Sequence, residues 1–175
     1  IEVSALELNK QVKKMLDKLR KPKRTKKAKP PKTLQATLRP YQEKGLGWLV
    51  QMRQSGLGAC LADDMGLGKT IQTIALWLYE RDKLDVSGPA LLVCPTSVVG
   101  NWVHEAAKFG PSLRVMAHHG PNRLVGDEFV EAVAELDVIV TSYALLTRDQ
   151  DGLLRTRWDS VTLDEAQNIK NPSTK

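Results

Sequence analysis

The residues of this chain best suited to chemistry lie in one short segment, Asp-Asp-Met-Gly-Leu-Gly-Lys-Thr, which runs from Asp63 to Thr70. The segment follows an apolar run and precedes a helical pattern, which is the layout of a loop that binds nucleotide phosphates. Gly66 and Gly68 allow sharp turns that point backbone N–H groups at a polyphosphate. Lys69 is suited to reach the β- and γ-phosphates, and the Thr70 hydroxyl to ligate Mg²⁺. The predicted nucleotide-binding residues here are Asp63, Asp64, Met65, Gly66, Leu67, Gly68, Lys69 and Thr70.

Two adjacent carboxylates, Asp164 and Glu165, follow a second apolar run that is typical of a buried parallel strand. At the end of such a strand, we predict that Asp164 holds Mg²⁺ and that Glu165 orients and deprotonates an attacking water. The alternative is that Asp164 caps a following helix while Glu165 is solvated. The upstream phosphate loop favours the catalytic interpretation. Lys69 and Glu165 are therefore the predicted catalytic residues, and Thr70 and Asp164 the predicted metal ligands.

Short, almost continuously apolar runs alternate with helical patterns along the chain, as expected when helices cover both faces of a parallel sheet. Strands are predicted at 59–62, 90–94, 114–118, 137–141 and 160–164, and helices around 40–54, 70–82, 98–109 and 127–135. This alternation predicts an α/β fold with a doubly wound, mostly parallel sheet. Cys60 and Cys94 fall in predicted buried strands, so we interpret both as reduced thiols in the core.

Five motifs occur in a fixed order between residues 34 and 175. They are Leu38-Arg39-Pro40-Tyr41-Gln42, Trp48-Leu49, the phosphate loop with Ile71-Gln72, Asp164-Glu165-Ala166-Gln167, and Asn168-Ile169-Lys170-Asn171. Together they resemble the first RecA-like lobe of the Swi/Snf-type ATPases, the helicase-like double-stranded DNA translocases of superfamily 2. The resemblance implies a RecA-like P-loop NTPase fold that uses ATP and Mg²⁺. The general phosphate-loop pattern has glycine where Asp63 stands, but carboxylates at this point are typical of the family.

The resemblance also implies roles for residues before the phosphate loop. Gln42 matches the family glutamine that recognises the adenine edge, a task that suits an amide because it presents a donor and an acceptor in one plane. Arg39 and Tyr41 are expected to shape the same pocket. The alternative for Gln42 is an ordinary surface glutamine on a helix.

Polar residues at the ends of two predicted strands match the family's contacts with the nucleic-acid backbone. Hydroxyl and N–H groups suit contacts with phosphates, which carry no sequence information. The predicted DNA-binding residues are Thr96, Ser97, Asn101, Thr141 and Ser142, and Trp102 directly follows the first group. For Thr141 and Ser142, capping of a following helix is the alternative.

The net charge of +6 is divided unevenly along the chain. Residues 1–32 contain twelve Lys or Arg and three acidic residues, which gives +9, whereas residues 33–175 contain fourteen basic and seventeen acidic residues, which gives −3. We predict an amphipathic helix over 1–20, a basic Pro/Lys-rich linker over 21–33, and a truncated first RecA-like lobe over 34–175. The basic linker could bind duplex DNA by releasing counterions, connect domains as a solvated spacer, or act as a nuclear-import signal.

The composition places limits on function. With 175 residues, of which 42% are hydrophobic, the chain can bury one substantial core. No apolar run reaches the length of a membrane span, and the first residues lack a signal-peptide pattern. The three histidines are too few and too poorly spaced to predict a metal site. We expect no membrane partner, and a location with the nucleoid in the cytoplasm of a bacterium or archaeon, or in the nucleus of a eukaryote.

We therefore expect an ATP-binding lobe of a DNA-dependent ATPase that couples hydrolysis to movement on double-stranded DNA and to remodelling of protein–DNA complexes. A second RecA-like lobe with arginine fingers is expected beyond Lys175, so the chain alone should bind ATP but hydrolyse it poorly. Expected partners are double-stranded DNA, the second lobe and DNA-bound proteins. The alternatives are a non-catalytic DNA-binding or scaffold module and a lobe of a superfamily 2 RNA helicase.

Overall fold

A computed structural model describes residues 28–169 of the chain. Within this range, a four-stranded sheet is combined with six α-helices. The helices are α1 (Pro40–Gln54), α2 (Lys69–Lys83), α3 (Val99–Phe109), α4 (Gly126–Val133), α5 (Tyr143–Arg148) and α6 (Gln150–Arg155). The strands are β1 (Ala90–Cys94), β2 (Val115–Ala117), β3 (Val138–Ser142) and β4 (Ser160–Leu163). The amphipathic helix predicted for 1–20 and most of the basic linker lie outside the described residues.

All four strands are parallel, in the order β2-β3-β1-β4. The two central strands, β1 and β3, are buried at every position, because hydrophobic clusters cover both faces of the sheet. On one face, Leu92 and Val140 pack with buried residues of α1, α2 and α3. On the other face, Leu91 and Ile139 pack with buried residues of α4 and α6. The predicted α/β fold with helices on both faces is thus confirmed.

Local sequence features account for where the helices begin and end. Pro40 is the first residue of α1, where the missing N–H of proline costs no hydrogen bond. The backbone N–H of Arg39 donates to Oε1 of Gln42 at 2.9 Å and so gives the start of α1 a side-chain partner. α3 ends at Phe109, and the N–H of the following Gly110 donates to Ala106 O at 2.8 Å. The helices predicted around 40–54, 70–82, 98–109 and 127–135 agree with α1 to α4 to within about two residues, whereas α5 and α6 were not predicted.

One predicted strand is wrong. Residues 59–62 form no strand in the structure, and Cys60 is exposed rather than buried in the core. An apolar run becomes a strand only when a neighbouring strand accepts and donates its backbone hydrogen bonds. Within residues 28–169, no strand pairs with this segment. Cys94, by contrast, is buried in β1, and burial raises the pKa of its thiol to about 11.

The strand before the two carboxylates is parallel, as predicted, but it is not fully buried. β4 is an edge strand that pairs only with β1 among the described residues. Its apolar residues Val161 and Leu163 are 57% and 42% exposed. The prediction of burial failed because an apolar sequence does not distinguish a central strand from an edge strand.

Candidate nucleotide site

The phosphate loop connects an irregular segment to the first residue of α2. Gly66 and Gly68 have positive φ angles of 82° and 77°, a conformation that other residues adopt only with strain. Gly68 precedes Lys69, where α2 begins. The exposed N–H groups and the positive end of the helix dipole suit an anion at this point. The sharp turns predicted at the two glycines are therefore present in the structure.

Lys69 folds back over the loop that precedes it. Its Nζ donates to the backbone oxygens of Asp63 at 2.7 Å and Asp64 at 3.2 Å. These neutral acceptors satisfy the ammonium without forming an ion pair. Within residues 28–169, no carboxylate forms an ion pair with Lys69, so its side chain can turn to a phosphate by exchanging two neutral carbonyl acceptors for an anionic one, which binds more strongly.

The first turn of α1 holds the loop from the other side. Tyr41 Oη and Gln42 Nε2 both donate to the backbone oxygen of Leu67, each at 3.2 Å. The other amide atom of Gln42, Oε1, accepts from the N–H of Arg39. Gln42 is buried, so the surface-glutamine alternative is wrong. The adenine contact stays a prediction, and it would require Gln42 to exchange at least one of these partners.

Asp164 lies directly after β4 and is held by three other elements. Its N–H donates to Val93 O of β1 at 2.8 Å, and its backbone oxygen accepts from Tyr143 Oη at 2.8 Å. Its carboxylate oxygen Oδ2 accepts from Trp102 Nε1 at 2.8 Å. Burial and the nearby Asp164 charge raise the pKa of Tyr143, so its hydroxyl remains a donor. The carboxylate thus has a fixed partner and does not cap a helix, which contradicts the capping alternative.

Glu165 has an unusual backbone conformation. Its φ of 51° and ψ of 50° place it in the left-handed region, which costs a non-glycine residue on the order of 1–3 kcal/mol. Asn168 stabilises this turn, because both its N–H and its Nδ2 donate to Glu165 O at 2.9 Å. Gln167 Nε2 also donates to the Glu165 carboxylate. Strained backbone of this kind is concentrated at functional sites.

The residues predicted to contact DNA fall into two groups. Thr96, Ser97 and Asn101 are exposed, in the short 3₁₀ turn after β1 and the first turn of α3. Thr141 and Ser142 are buried, at 0% and 1% exposure. Thr141 Oγ1 donates to His118 O at 3.2 Å, and Ser142 makes no side-chain cap on α5. In this conformation neither of these two hydroxyls is available to DNA, because β3 extends through Ser142.

The structure brings the loop and α1 together, and it brings Asp164 together with Trp102 and Tyr143. In residues 28–169, no hydrogen bond or ion pair joins the 63–70 loop to Asp164 or Glu165. Nor do those residues contain a cluster of three or more His, Cys, Asp or Glu side chains that could hold a metal. Mg²⁺ in ATP sites is typically bound by one or two carboxylates together with substrate phosphates, so a single Asp164 with Thr70 fits it. The helices of residues 28–169 include none long and apolar enough to cross a membrane.

Three contacts at this site were not predicted from the sequence: those of Trp102 and Tyr143 with Asp164, and that of Tyr41 with Leu67. The only signal in the sequence is chemical. Tyrosine and tryptophan carry polar hydrogens that need a partner when buried, and both Trp102 and Tyr143 follow strand ends in the predicted sheet. The identity of the partner depends on the tertiary fold.

Comparison with known proteins supports the family resemblance found in the sequence motifs. The sequence matches the SNF2-related domain family over residues 41–175. It is 46% identical over 169 residues to YwqA of Bacillus subtilis (strain 168), described as a candidate ATP-dependent helicase/translocase, covering 97% of this chain and 18% of YwqA. It is 43% identical over 143 residues to the helicase SWR1 of Debaryomyces hansenii, covering 81% of this chain and 9% of SWR1.

A solved structure, the Sulfolobus solfataricus SWI2/SNF2 ATPase core in complex with double-stranded DNA, has the same fold. The TM-score is 0.74 at 42% sequence identity, over 85% of this chain and 30% of that one. The parallel sheet and its helices therefore correspond to a RecA-like lobe. The chain spans less than a fifth of the length of the curated relatives just named. On the extent of the sequence match and of the structural match, the chain belongs to the SNF2-related domain family.

Proposed function

We propose that this chain is the ATP-binding lobe of a DNA-dependent ATPase that moves on double-stranded DNA and remodels protein–DNA complexes. The observation that carries the proposal is the loop with two left-handed glycines and Lys69 at the start of α2. This arrangement combines the N–H groups of the loop, a helix terminus and a cation with which no carboxylate of residues 28–169 forms an ion pair. Each of these features favours a polyphosphate ligand.

The two carboxylates would have separate roles, one in metal binding and one in proton transfer. Asp164, with Thr70, would hold Mg²⁺, which neutralises charge on the phosphates when it is bound with ATP. Glu165 would accept a proton from a water and orient it. Asn168 stabilises the left-handed backbone of Glu165, and Gln167 Nε2 donates to its carboxylate. Gln42 and Tyr41 would keep Leu67, and with it the phosphate loop, in position.

The partners follow from the relatives. Double-stranded DNA is bound in the solved SWI2/SNF2 ATPase core, of which this chain covers 30%. We therefore infer that this lobe works with a second RecA-like lobe and that it contacts DNA through the exposed Thr96, Ser97 and Asn101. The chromatin-remodeling ATPase INO80 and helicase SWR1 relatives favour protein–DNA complexes as the target, in a nucleoid or a nucleus.

Lys69→Ala tests the phosphate loop directly. We expect it to weaken Mg·ATP binding by the chain at least about tenfold, because a charge-assisted contact contributes roughly twice as much as a neutral one. Titration calorimetry would measure the affinity. Lys83→Ala removes an equal charge from the exposed far end of the same helix and should leave the affinity within about twofold. Equal affinities of the wild type and Lys69→Ala would overturn the proposal.

Glu165→Gln tests the assignment of the base. In the full-length protein, we expect this variant to bind ATP normally but to lose DNA-stimulated hydrolysis by about 100-fold or more, since general base catalysis contributes typically 10²–10⁴-fold. Phosphate release would measure the rate. A wild-type rate in Glu165→Gln would show that the carboxylate is structural.

A further inference from the structure

The indole of Trp102 links α3 to the carboxylate side of the site. Trp102 is only 5% exposed, and its ring packs against Trp77 of α2 with the centroids 5.9 Å apart and the planes inclined by 50°. An indole N–H can only donate, and a buried donor without a partner is costly. Trp102 uses its one donor on Asp164 Oδ2 at 2.8 Å. The packing fixes the ring, and the ring in turn fixes the carboxylate.

Asp164 depends on such support because of where it lies. It follows the edge strand β4, whose Val161 and Leu163 are largely exposed. Among residues 28–169, the sheet holds this strand from one side only, through β1. The two side-chain donors supply the rest: Tyr143 Oη binds the backbone oxygen of Asp164, and Trp102 Nε1 binds its carboxylate. These bonds fix the position of the main chain and the rotamer of the side chain separately.

One of the two donors, Trp102, lies beside exposed residues that are predicted to contact DNA. Trp102 directly follows the exposed Asn101 in the first turn of α3, and the exposed Thr96 and Ser97 lie in the turn that leads into that helix. Tyr143 is the first residue of α5, directly after β3. Neighbouring residues in one helical turn move together, so a shift at Asn101 would move the Trp102 indole as well. Because the two residues are adjacent in the sequence, no intervening residue has to transmit the shift.

We propose that Trp102 is a positioning residue that orients Asp164 for Mg²⁺ and transmits DNA contact to this carboxylate, while Tyr143 holds the main chain of Asp164 in place. The proposal rests on the proposed function, since it takes Asp164 as the metal ligand. The chemistry is compatible with that role. A neutral N–H donor leaves the carboxylate charge intact, and it occupies one oxygen while Oδ1 has no hydrogen-bond partner in the described part of the chain.

The test compares two Trp→Phe substitutions from the same aromatic pair in the full-length protein. Trp102→Phe keeps an aromatic ring but removes the donor to Asp164. Trp77→Phe removes a similar volume and leaves that donor in place, so it controls for packing. The measurements are ATP hydrolysis against Mg²⁺ concentration, with and without double-stranded DNA, and affinity for the DNA itself.

We expect Trp102→Phe to raise the Mg²⁺ concentration for half-maximal hydrolysis at least about tenfold, the effect of one hydrogen bond to a charged group. The stimulation of hydrolysis by DNA should fall by a similar factor, while DNA affinity stays within about twofold. Trp77→Phe should change none of these quantities by more than about twofold. If the two variants behave alike, the positioning role is wrong.

Tyr143→Phe is a second variant, which removes only a hydroxyl group and so keeps the proposal testable if Trp102→Phe does not fold. It should raise the Mg²⁺ concentration for half-maximal hydrolysis about threefold, and an unchanged Mg²⁺ dependence would overturn the part assigned to Tyr143. Asp164→Asn separates the two proposals. If Asp164→Asn leaves the Mg²⁺ dependence unchanged, the proposed function of Asp164 fails. If Asp164→Asn impairs hydrolysis but Trp102→Phe and Tyr143→Phe do not, only the present inference fails.

Discussion

The central strands β1 and β3 and the segment 57–62 are all rich in apolar residues, but they differ in how deeply the structure buries them. Every residue of β1 and β3 is buried, whereas Ala59 and Cys60 are exposed in an irregular segment. The difference lies in their neighbours, since each central strand has a hydrogen-bonded strand on both sides. An apolar composition favours burial of a segment, but the segment is buried only if it takes a position inside the sheet.

The candidate site also has two halves that differ in how they are held: the carboxylate half around Asp164 and the phosphate half formed by the phosphate loop. Asp164 is connected to the sheet through Val93 and to two further elements through Trp102 and Tyr143. The phosphate loop is held by α1, through the contacts of Tyr41 and Gln42 with Leu67. The carboxylate half is thus fixed by the core, and the phosphate half by a few polar contacts at the surface.

The largest expected effect concerns the core itself. Leu92→Ala, at a fully buried position of β1, should lower the free energy of unfolding of the chain by about 2–5 kcal/mol. Leu61→Ala makes the same chemical change in the irregular segment, at a half-buried position, and should cost less than about 1 kcal/mol. Urea denaturation would measure both. Comparable losses would mean that the segment 59–62 packs in solution as part of the core.

A smaller effect is expected at the two glycines of the loop. A side chain at Gly66 would meet no atom within 4 Å, so Gly66→Ala adds only backbone strain of about 1 kcal/mol. A Cβ at Gly68 would overlap with Gln42 Nε2 and would displace that side chain from Leu67. Gly68→Ala should therefore cost about 1 kcal/mol more.

The same two variants distinguish strain from loss of the Gln42 contact in nucleotide binding. We expect both to weaken binding, with Gly68→Ala the weaker binder by about fivefold. Thermal unfolding and titration calorimetry would measure the two quantities. Equal behaviour of the two variants would show that Gln42 does not hold the loop in solution.

The sequence predicted those features that depend on local pattern. The phosphate loop has its own glycines, β1 and β3 are continuous apolar runs, and Asp164 directly follows a strand, so each can be placed from its neighbours along the chain. The bonds that organise the site are different in kind. Trp102 and Asp164 are 62 residues apart, and Tyr143 and Asp164 are 21 apart, so only the tertiary fold brings them together.

The same reasoning explains the error of burial at β4. Whether β4 is a central or an edge strand depends on which strand lies beside it, and the residue types of Val161 and Leu163 do not determine that. Thr141 and Ser142 are buried because they belong to β3, which has a hydrogen-bonded strand on both sides.

The smallest effect separates the sheet core from the phosphate loop by their response to acid. In the core, His118 is buried directly after β2 with its ring 4.5 Å from that of Phe129 of α4. Its Nε2 lies 2.8 Å from Asp149 Oδ2, and Arg123 Nη2 donates to Asp149 Oδ1 at 2.7 Å. Burial lowers the pKa of His118 and outweighs the opposing effect of Asp149, while the Arg123 hydrogen bond lowers the pKa of Asp149.

The sign of the pH dependence follows from these directions. Below pH about 6.5, the ordinary pKa of histidine, the unfolded chain takes up a proton more readily than folded His118, so stability falls as the pH falls. The slope of stability against pH for one proton cannot exceed about 1.4 kcal/mol per pH unit.

We expect His118→Gln to reduce the loss of stability between pH 7 and pH 5, measured by thermal unfolding. His119→Gln, which changes the exposed neighbouring histidine, should not. Hydrogen exchange at pH 5 should then show faster opening around His118 and Asp149 in the wild type, with no change in the phosphate loop. Equal acid sensitivity of His118→Gln and the wild type would show that His118 is not the group that responds.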